Sequence, residues 1–155
     1  MSHLGRLLDQ PITVTWVPRS QIGDVIKVFG YYILRGLKAS DLALDEFVEA
    51  VVNGKAWLGV AYQRDPFRPL GIWISDLRVA EEGHGFATVC GLSGDRLPLW
   101  MPKIEALVID FAKMNDCRAV RFFGRAAYKA LVDDLNIIGC AEDGRTYLFE
   151  KRIAA

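Results

Sequence analysis

The chain has 155 residues, 52% of them hydrophobic and 11% aromatic, and its 19 basic side chains balance 19 acidic ones. A chain of this length buries about 68–70% of its extended-state surface on folding, which supports one core and argues against a second domain. Zero net charge excludes the basic footprint of a nucleic-acid binder, and a charged fraction of 25% excludes a disordered composition.

Residues 12–17 alternate β-branched side chains with Trp16 and predict a strand. Ile22, Val25, Ile26 and Phe29 recur at i, i+3, i+4 and i+7, the spacing of an amphipathic helix. Ser20 is its expected N-cap and Gly36 its expected left-handed C-terminal residue. Leu44, Phe47, Val48 and Val51 predict a second helix, capped by Ser40 or Asp41 and closed by Gly54. Residues 56–62 are almost continuously apolar, as in a strand covered on both faces. A proline-bearing loop at 64–69 leads to a third strand at 70–79. The polar turn Glu81-Glu82-Gly83-His84-Gly85 then precedes a fourth strand at 86–92.

Ile104, Leu107, Val108 and Phe111 predict a third helix. Proline is tolerated in the first turn of a helix, so this one is expected to start near Pro102, after an irregular lead-in at 97–101. A short strand at 119–123 precedes a fourth helical repeat, Tyr128, Leu131, Val132 and Leu135, closed by Gly139. Residues 140–141 and 146–151 flank Asp143-Gly144, a hairpin signal.

Three successive strands imply an antiparallel meander, and the strand–helix–strand unit around 103–115 implies one parallel crossover. The expected fold is α/β of the mixed α+β kind, a single domain over residues 12–151. It has a mixed, mostly antiparallel sheet of about seven strands with four helices on its faces. Residues 1–11 form an extension and residues 152–155 a tail.

Cys90, Cys117 and Cys140 form no C-x-x-C pair and read as buried free thiols. The only histidines are His3 and His84, so no metal site is expected. His84 and Cys90 alternate onto one strand face but stand roughly 20 Å apart, which excludes a Cys–His nucleophile pair. No run approaches the roughly 18 apolar residues of a membrane helix. Residues 1–10 lack the apolar centre of a signal peptide, which leaves the cytoplasm as the expected location.

The element order resembles the GNAT (GCN5-related N-acetyltransferase) fold over nearly the whole of residues 12–151. The second half is similar to small GNAT-like proteins of tailed bacteriophages and prophages. The likeness rests on three runs: WMPKIEALVIDFAKMNDC at 100–117, RAVRFFGR at 118–125, and residues 131–140. The resemblance implies an acyl-coenzyme A site with the pyrophosphate held between the fourth strand and third helix, where active members carry Q/R-x-x-G-x-G/A. Backbone N–H groups and a helix N-terminus solvate phosphates in such a loop.

Here the segment reads CGLSGDRLPLWMPK over 90–103. Cys90, Leu92, Gly94, Asp95 and Arg96 are its candidate cofactor residues, with Gly91 beside them. Asp95 adds a negative charge, and Pro98 and Pro102 each remove a donor. The resemblance also implies a water-holding or proton-accepting acid near the fourth strand, for which Glu81, Glu82 and His84 are the candidates. The family's fourth-helix Tyr is replaced here by Leu135, and Tyr128 falls on the apolar stripe of that helix. Tyr31, Tyr32, Arg35 and Lys38 close the first helix, which borders the acceptor cleft in GNAT enzymes. Arg118, Arg121 and Arg125 cluster around the fifth strand.

Two functions follow from the resemblance. One is an N-acetyltransferase moving an acetyl group from acetyl-coenzyme A to an amine acceptor in the bacterial cytoplasm. The other is a catalytically inactive GNAT-fold protein that contacts another chain, as a virion component or in the host.

Overall fold

The computed structural model describes residues 10–38, 42–124, 132 and 134–153. The chain opens with β1 (Thr13–Trp16), a 3-10 turn (Arg19–Gln21), α1 (Ile22–Leu37) and α2 (Leu44–Val52). It continues through β2 (Trp57–Gln63), β3 (Arg68–Ser75), β4 (Leu77–Val79) and β5 (Gly85–Gly94). After α3 (Leu97–Met114) come β6 (Ala119–Gly124), β7 (Asn136–Cys140) and β8 (Tyr147–Arg152). The eight strands form one mixed sheet in the order β1-β2-β3-β5-β6-β8-β7, with β4 paired to β5. Every pairing is antiparallel except β5 with β6, the pair that α3 connects.

The periodicities of the sequence become two cores, one on each face. Ile22, Phe29, Ile33 and Leu37 of α1 and Phe47 and Val51 of α2 close over Leu58, Val60, Ile72 and Ile74. On the other face Trp100, Met101, Ile104 and Val108 of α3 cover Trp73, Val89, Val120, Phe122 and Phe149. Each large apolar side chain buried in this way contributes about 1.5–3 kcal/mol. Lys151 of β8 and Glu105 of α3 form an ion pair that ties the helix to the far strands.

Several expectations are corrected. The third strand is two strands, because Asp76 leaves the ladder and its backbone N–H donates to the Thr88 hydroxyl at 3.0 Å. Helix α3 begins at Leu97 rather than near Pro102, so Pro102 lies inside it. The early start is held by Trp100, whose indole N–H donates to the Asp95 carbonyl at 2.8 Å. Pro102 loses only the bond to the carbonyl of Pro98 in the first turn.

Gly36 lies within α1, and the helix runs on to Leu37. Gly54 does adopt a left-handed φ of 71° after α2. Ser20 falls inside the 3-10 turn, and the N-caps of α1 and α2 are Gln21 and Ala43, neither with a side-chain cap bond. Ser40 and Asp41 lie outside the described residues, as does most of the fourth predicted helix, including Tyr128 and Leu131. The described residues hold three α-helices. Leu135 is buried against the α3-side core, and from Asn136 the chain is strand, so Gly139 sits in β7 rather than closing a helix. The hairpin forms as expected: Gly144 has φ 69°, and the Asp143 carboxylate accepts from the backbone of Arg145 and Thr146 at 2.8 Å.

Candidate functional site

The parallel ladder between β5 and β6 runs from Phe86 opposite Ala119 to Val89 opposite Phe122. Beyond it β5 continues to Gly94, pairing with β3 through Ile72–Ser93 and Gly71–Gly94. Among the described residues the β6-facing edge of residues 90–94 has no ladder partner, so the two strands part into a cleft with free backbone groups on one wall.

A bulge shapes that wall. Three steps of β5, from Cys90 to Ser93, oppose two steps of β3, from Ile74 to Ile72. Gly91 takes the extra position with φ 63°. As a result Cys90 packs with the α1-side core and Leu92, two residues on, with the opposite core. The bulge also brings the Gly91 carbonyl against α1, so close that a Cβ at Gly36 would lie 2.2 Å from its oxygen.

Past the bulge the chain turns into α3. At Gly94 the space a side chain would need is taken by the Trp100 ring, 2.6 Å from an ideal Cβ, and the Leu70 carbonyl, 2.7 Å away. Asp95 is anchored by three bonds: its N–H donates to Leu70 O at 2.7 Å, its carbonyl accepts from Trp100, and its carboxylate accepts from the Tyr32 hydroxyl at 2.7 Å. Burial and this bond raise Tyr32 to about 12, so the phenol stays protonated. Arg96 is the N-cap of α3, with φ 57° and ψ 34°. Its Nη1 and the Ser93 Oγ are buried without a partner among the described residues.

On the α1-side face, where the strands part, a polar cluster forms that the sequence reading missed. Thr88 is fully buried and donates from its hydroxyl to Asp76 Oδ1 at 2.7 Å. Arg78 donates from Nε to both oxygens of Asp76, at 3.0 and 3.2 Å, and from Nη2 to Oδ2 at 3.0 Å. The Arg78 guanidinium also stands 5.5 Å from the ring centre of Phe123, on the opposite wall of the cleft. Cys90 Sγ is 3.8 Å from the Thr88 hydroxyl oxygen. Burial, reinforced by the Asp76 charge, raises the Cys90 thiol to about 11, so it is neutral and no nucleophile at physiological pH. The legible sign of this cluster was the pair Asp76 and Arg78, two charged residues inside the apolar run at 70–79.

The structure gathers Cys90, Leu92, Gly94, Asp95 and Arg96 at the parting end of β5. It does not bring Glu81, Glu82 and His84 to them. Those three lie at the other end of a strand of ten residues, which spans about 30 Å. Glu81 and Glu82 are exposed, while His84 has a buried Nε2 with no partner among the described residues and lines a polar hollow of about 580 Å³ with Glu82, Arg118 and Arg152. Of the basic cluster, Arg118 belongs to that hollow, Arg121 pairs with the buried Glu150 at 2.9 Å, and Arg125 lies outside the described residues. Tyr31 is exposed, with Arg35 5.5 Å from its ring centre.

Solved structures share this fold. The N-acyl amino acid synthase FeeM from uncultured soil microbes superposes with a TM-score of 0.65 at 11% identity, over 92% of this chain and 91% of that one. Arabidopsis thaliana NAA60 in complex with acetyl-CoA gives 0.64 at 16% identity, over 92% and 99%. A GNAT-family acetyltransferase of Staphylococcus aureus gives 0.58 at 13% identity, over 93% and 100%. No protein-family model and no curated protein sequence matches the chain. The fold is that of the GNAT acetyltransferases. No helix among the described residues is long and apolar enough to cross a membrane.

Proposed function

We propose that the protein is an N-acyltransferase that takes an acyl group from acyl-coenzyme A, acetyl-coenzyme A in the simplest case, to a primary amine. The observation that carries this reading is the edge of β5 beyond Val89, unpaired among the described residues, which leads straight to two buried polar atoms with no partner among those residues, Ser93 Oγ and Arg96 Nη1. The residues fit the cofactor in two respects. An open strand edge suits an extended, amide-bearing arm, which pairs with it as another strand would. An unpartnered guanidinium nitrogen beside the first turn of a helix suits a phosphate.

Bound acyl-coenzyme A supplies an activated thioester. The protein's own work is to hold and deprotonate the amine. Asp76, paired with Arg78 and oriented by Thr88, accepts the amine proton as the C–N bond forms, and coenzyme A leaves as its thiolate when the C–S bond breaks. The neutral Cys90 thiol adds no charge to that wall.

A second reading, a non-catalytic module that contacts another chain in a virion or a host cell, is favoured by the exposed Val28, Tyr31 and Leu34 on α1. It is also favoured by the carboxylate of Asp95 beside the phosphate position. Calorimetric titration with acetyl-coenzyme A decides between the two. Saturable heat at micromolar to millimolar ligand supports the enzyme, and no heat at millimolar ligand overturns it. Stoichiometric recovery of the protein in purified particles or host pull-downs then supports the module.

A further inference from the structure

We infer that the acceptor is an apolar α-amino acid, bound by its carboxylate at Arg78 and by its side chain in an adjoining groove. This rests on the acyltransferase reading above. The groove, of about 260 Å³, is lined by Phe123, Gly139, Cys140, Tyr147 and Leu148 on the far wall of the cleft. It is predominantly apolar and larger than the engineered cavity of about 150 Å³ that holds benzene in another protein. Leu148 opposes both Phe123 of β6 and Gly139 of β7 in the ladders, and the missing side chain at Gly139 keeps the floor between them low.

The groove meets the polar cluster at one residue. Phe123 lines the groove, and the Arg78 guanidinium stands 5.5 Å from its ring centre. A guanidinium carries five donors, and Asp76 engages those on Nε and Nη2. Nη1 has no partner among the described residues, and the Arg78 side chain is 49% exposed. It can therefore hold a second carboxylate while remaining paired to Asp76. A molecule with a carboxylate on Arg78 and an apolar group against Phe123 carries both on one short scaffold. An α-amino acid does so, and its amine then lies on the cleft side, toward Asp76 and Thr88.

The test measures binding without turnover. L-phenylalanine, glycine and phenethylamine are titrated into the full chain, with and without desulfo-coenzyme A, a cofactor analogue with no acyl group to transfer. L-phenylalanine is expected to bind at least about tenfold tighter than glycine, which lacks the side chain, and than phenethylamine, which lacks the carboxylate. Arg78→Gln should abolish the advantage over phenethylamine, and Leu148→Trp, which fills the groove, the advantage over glycine. Equal affinities in the wild-type protein, or no amino-acid binding while acetyl-coenzyme A still binds, overturn the inference alone and leave the acyltransferase standing. Selective L-phenylalanine binding with no response to either coenzyme A derivative supports the pocket and overturns the acyltransferase.

Discussion

An ideal Cβ at Gly36 would lie 2.2 Å from the carbonyl oxygen of Gly91, so α1 rests on the β5 bulge with no room for a methyl group. The contact links the first helix to the strand that opens the cleft. An alanine inside a helix ordinarily stabilises it by about 1 kcal/mol over glycine. At Gly36 the sign should reverse. Gly36→Ala is expected to destabilise by about 1–3 kcal/mol, the usual range for overpacking, in urea or thermal melts. Gly30→Ala is the control, because nothing lies within 4 Å of its Cβ position in the same helix. It should be neutral or stabilising.

Arg96 and Ser93 present polar atoms that have no partner among the described residues. Arg96→Ala should therefore weaken acetyl-coenzyme A binding by about 1–3 kcal/mol, as for loss of a charge-assisted bond, while leaving the melting temperature close to that of the parent. An unchanged dissociation constant by calorimetry would remove Arg96 from the site.

The Thr88 hydroxyl links Asp76 to β5 through two bonds, one donated to Oδ1 and one accepted from the Asp76 backbone N–H, beside the backbone bond from Thr88 N–H to the Asp76 carbonyl. Thr88→Val keeps the shape and removes both, at a cost of about 1–3 kcal/mol for the groups left unsatisfied. Asp76→Asn should lower the turnover number far more than the Michaelis constant for the acyl donor, because the loss falls on the amine proton. Steady-state kinetics over a pH series separates the two effects.

Cys90 and Cys140 should differ in reactivity. The thiol of Cys90 sits at about 11, raised first by burial, whereas Cys140 is exposed. Iodoacetamide at pH 8 should label Cys140 first, by peptide mass spectrometry, since only about one Cys90 in a thousand is then thiolate. The shift also has a stability consequence. A group whose folded pKa is raised stabilises the fold below the unfolded value, and that contribution is lost as pH rises. Denaturation midpoints should therefore fall between about pH 9 and 11. Cys90→Ser, whose hydroxyl does not ionise there, should flatten the decline.

Much of the fold was legible because hydrophobic period is a local property. Ile22 to Phe29 and Leu44 to Val51 carry helical spacing whatever they pack against, and Asp143-Gly144 carries its turn with it. The errors came where a distant partner overrode the local rule. Pro102 lies inside a helix because Trp100 and Asp95 anchor its first turn five residues earlier. Gly36, read as a helix terminator, is small because Gly91 lies across from it.

The candidate site divides along the same line. By itself the sequence determined the apolar helix faces of the two-layered core and the strand–helix–strand crossover, since these depend on periodicity and near neighbours along the chain. Only the tertiary structure decided that β5 bulges at Gly91 and parts from β6 after Val89. It alone set Glu81, Glu82 and His84 at the opposite end of that strand. It also joined Asp76, Arg78, Thr88 and Phe123, which lie up to 47 residues apart, at the mouth of the cleft. The physical reason is that register and bulge position are set by cross-strand pairing, and a contact across a sheet leaves no periodic trace along the chain.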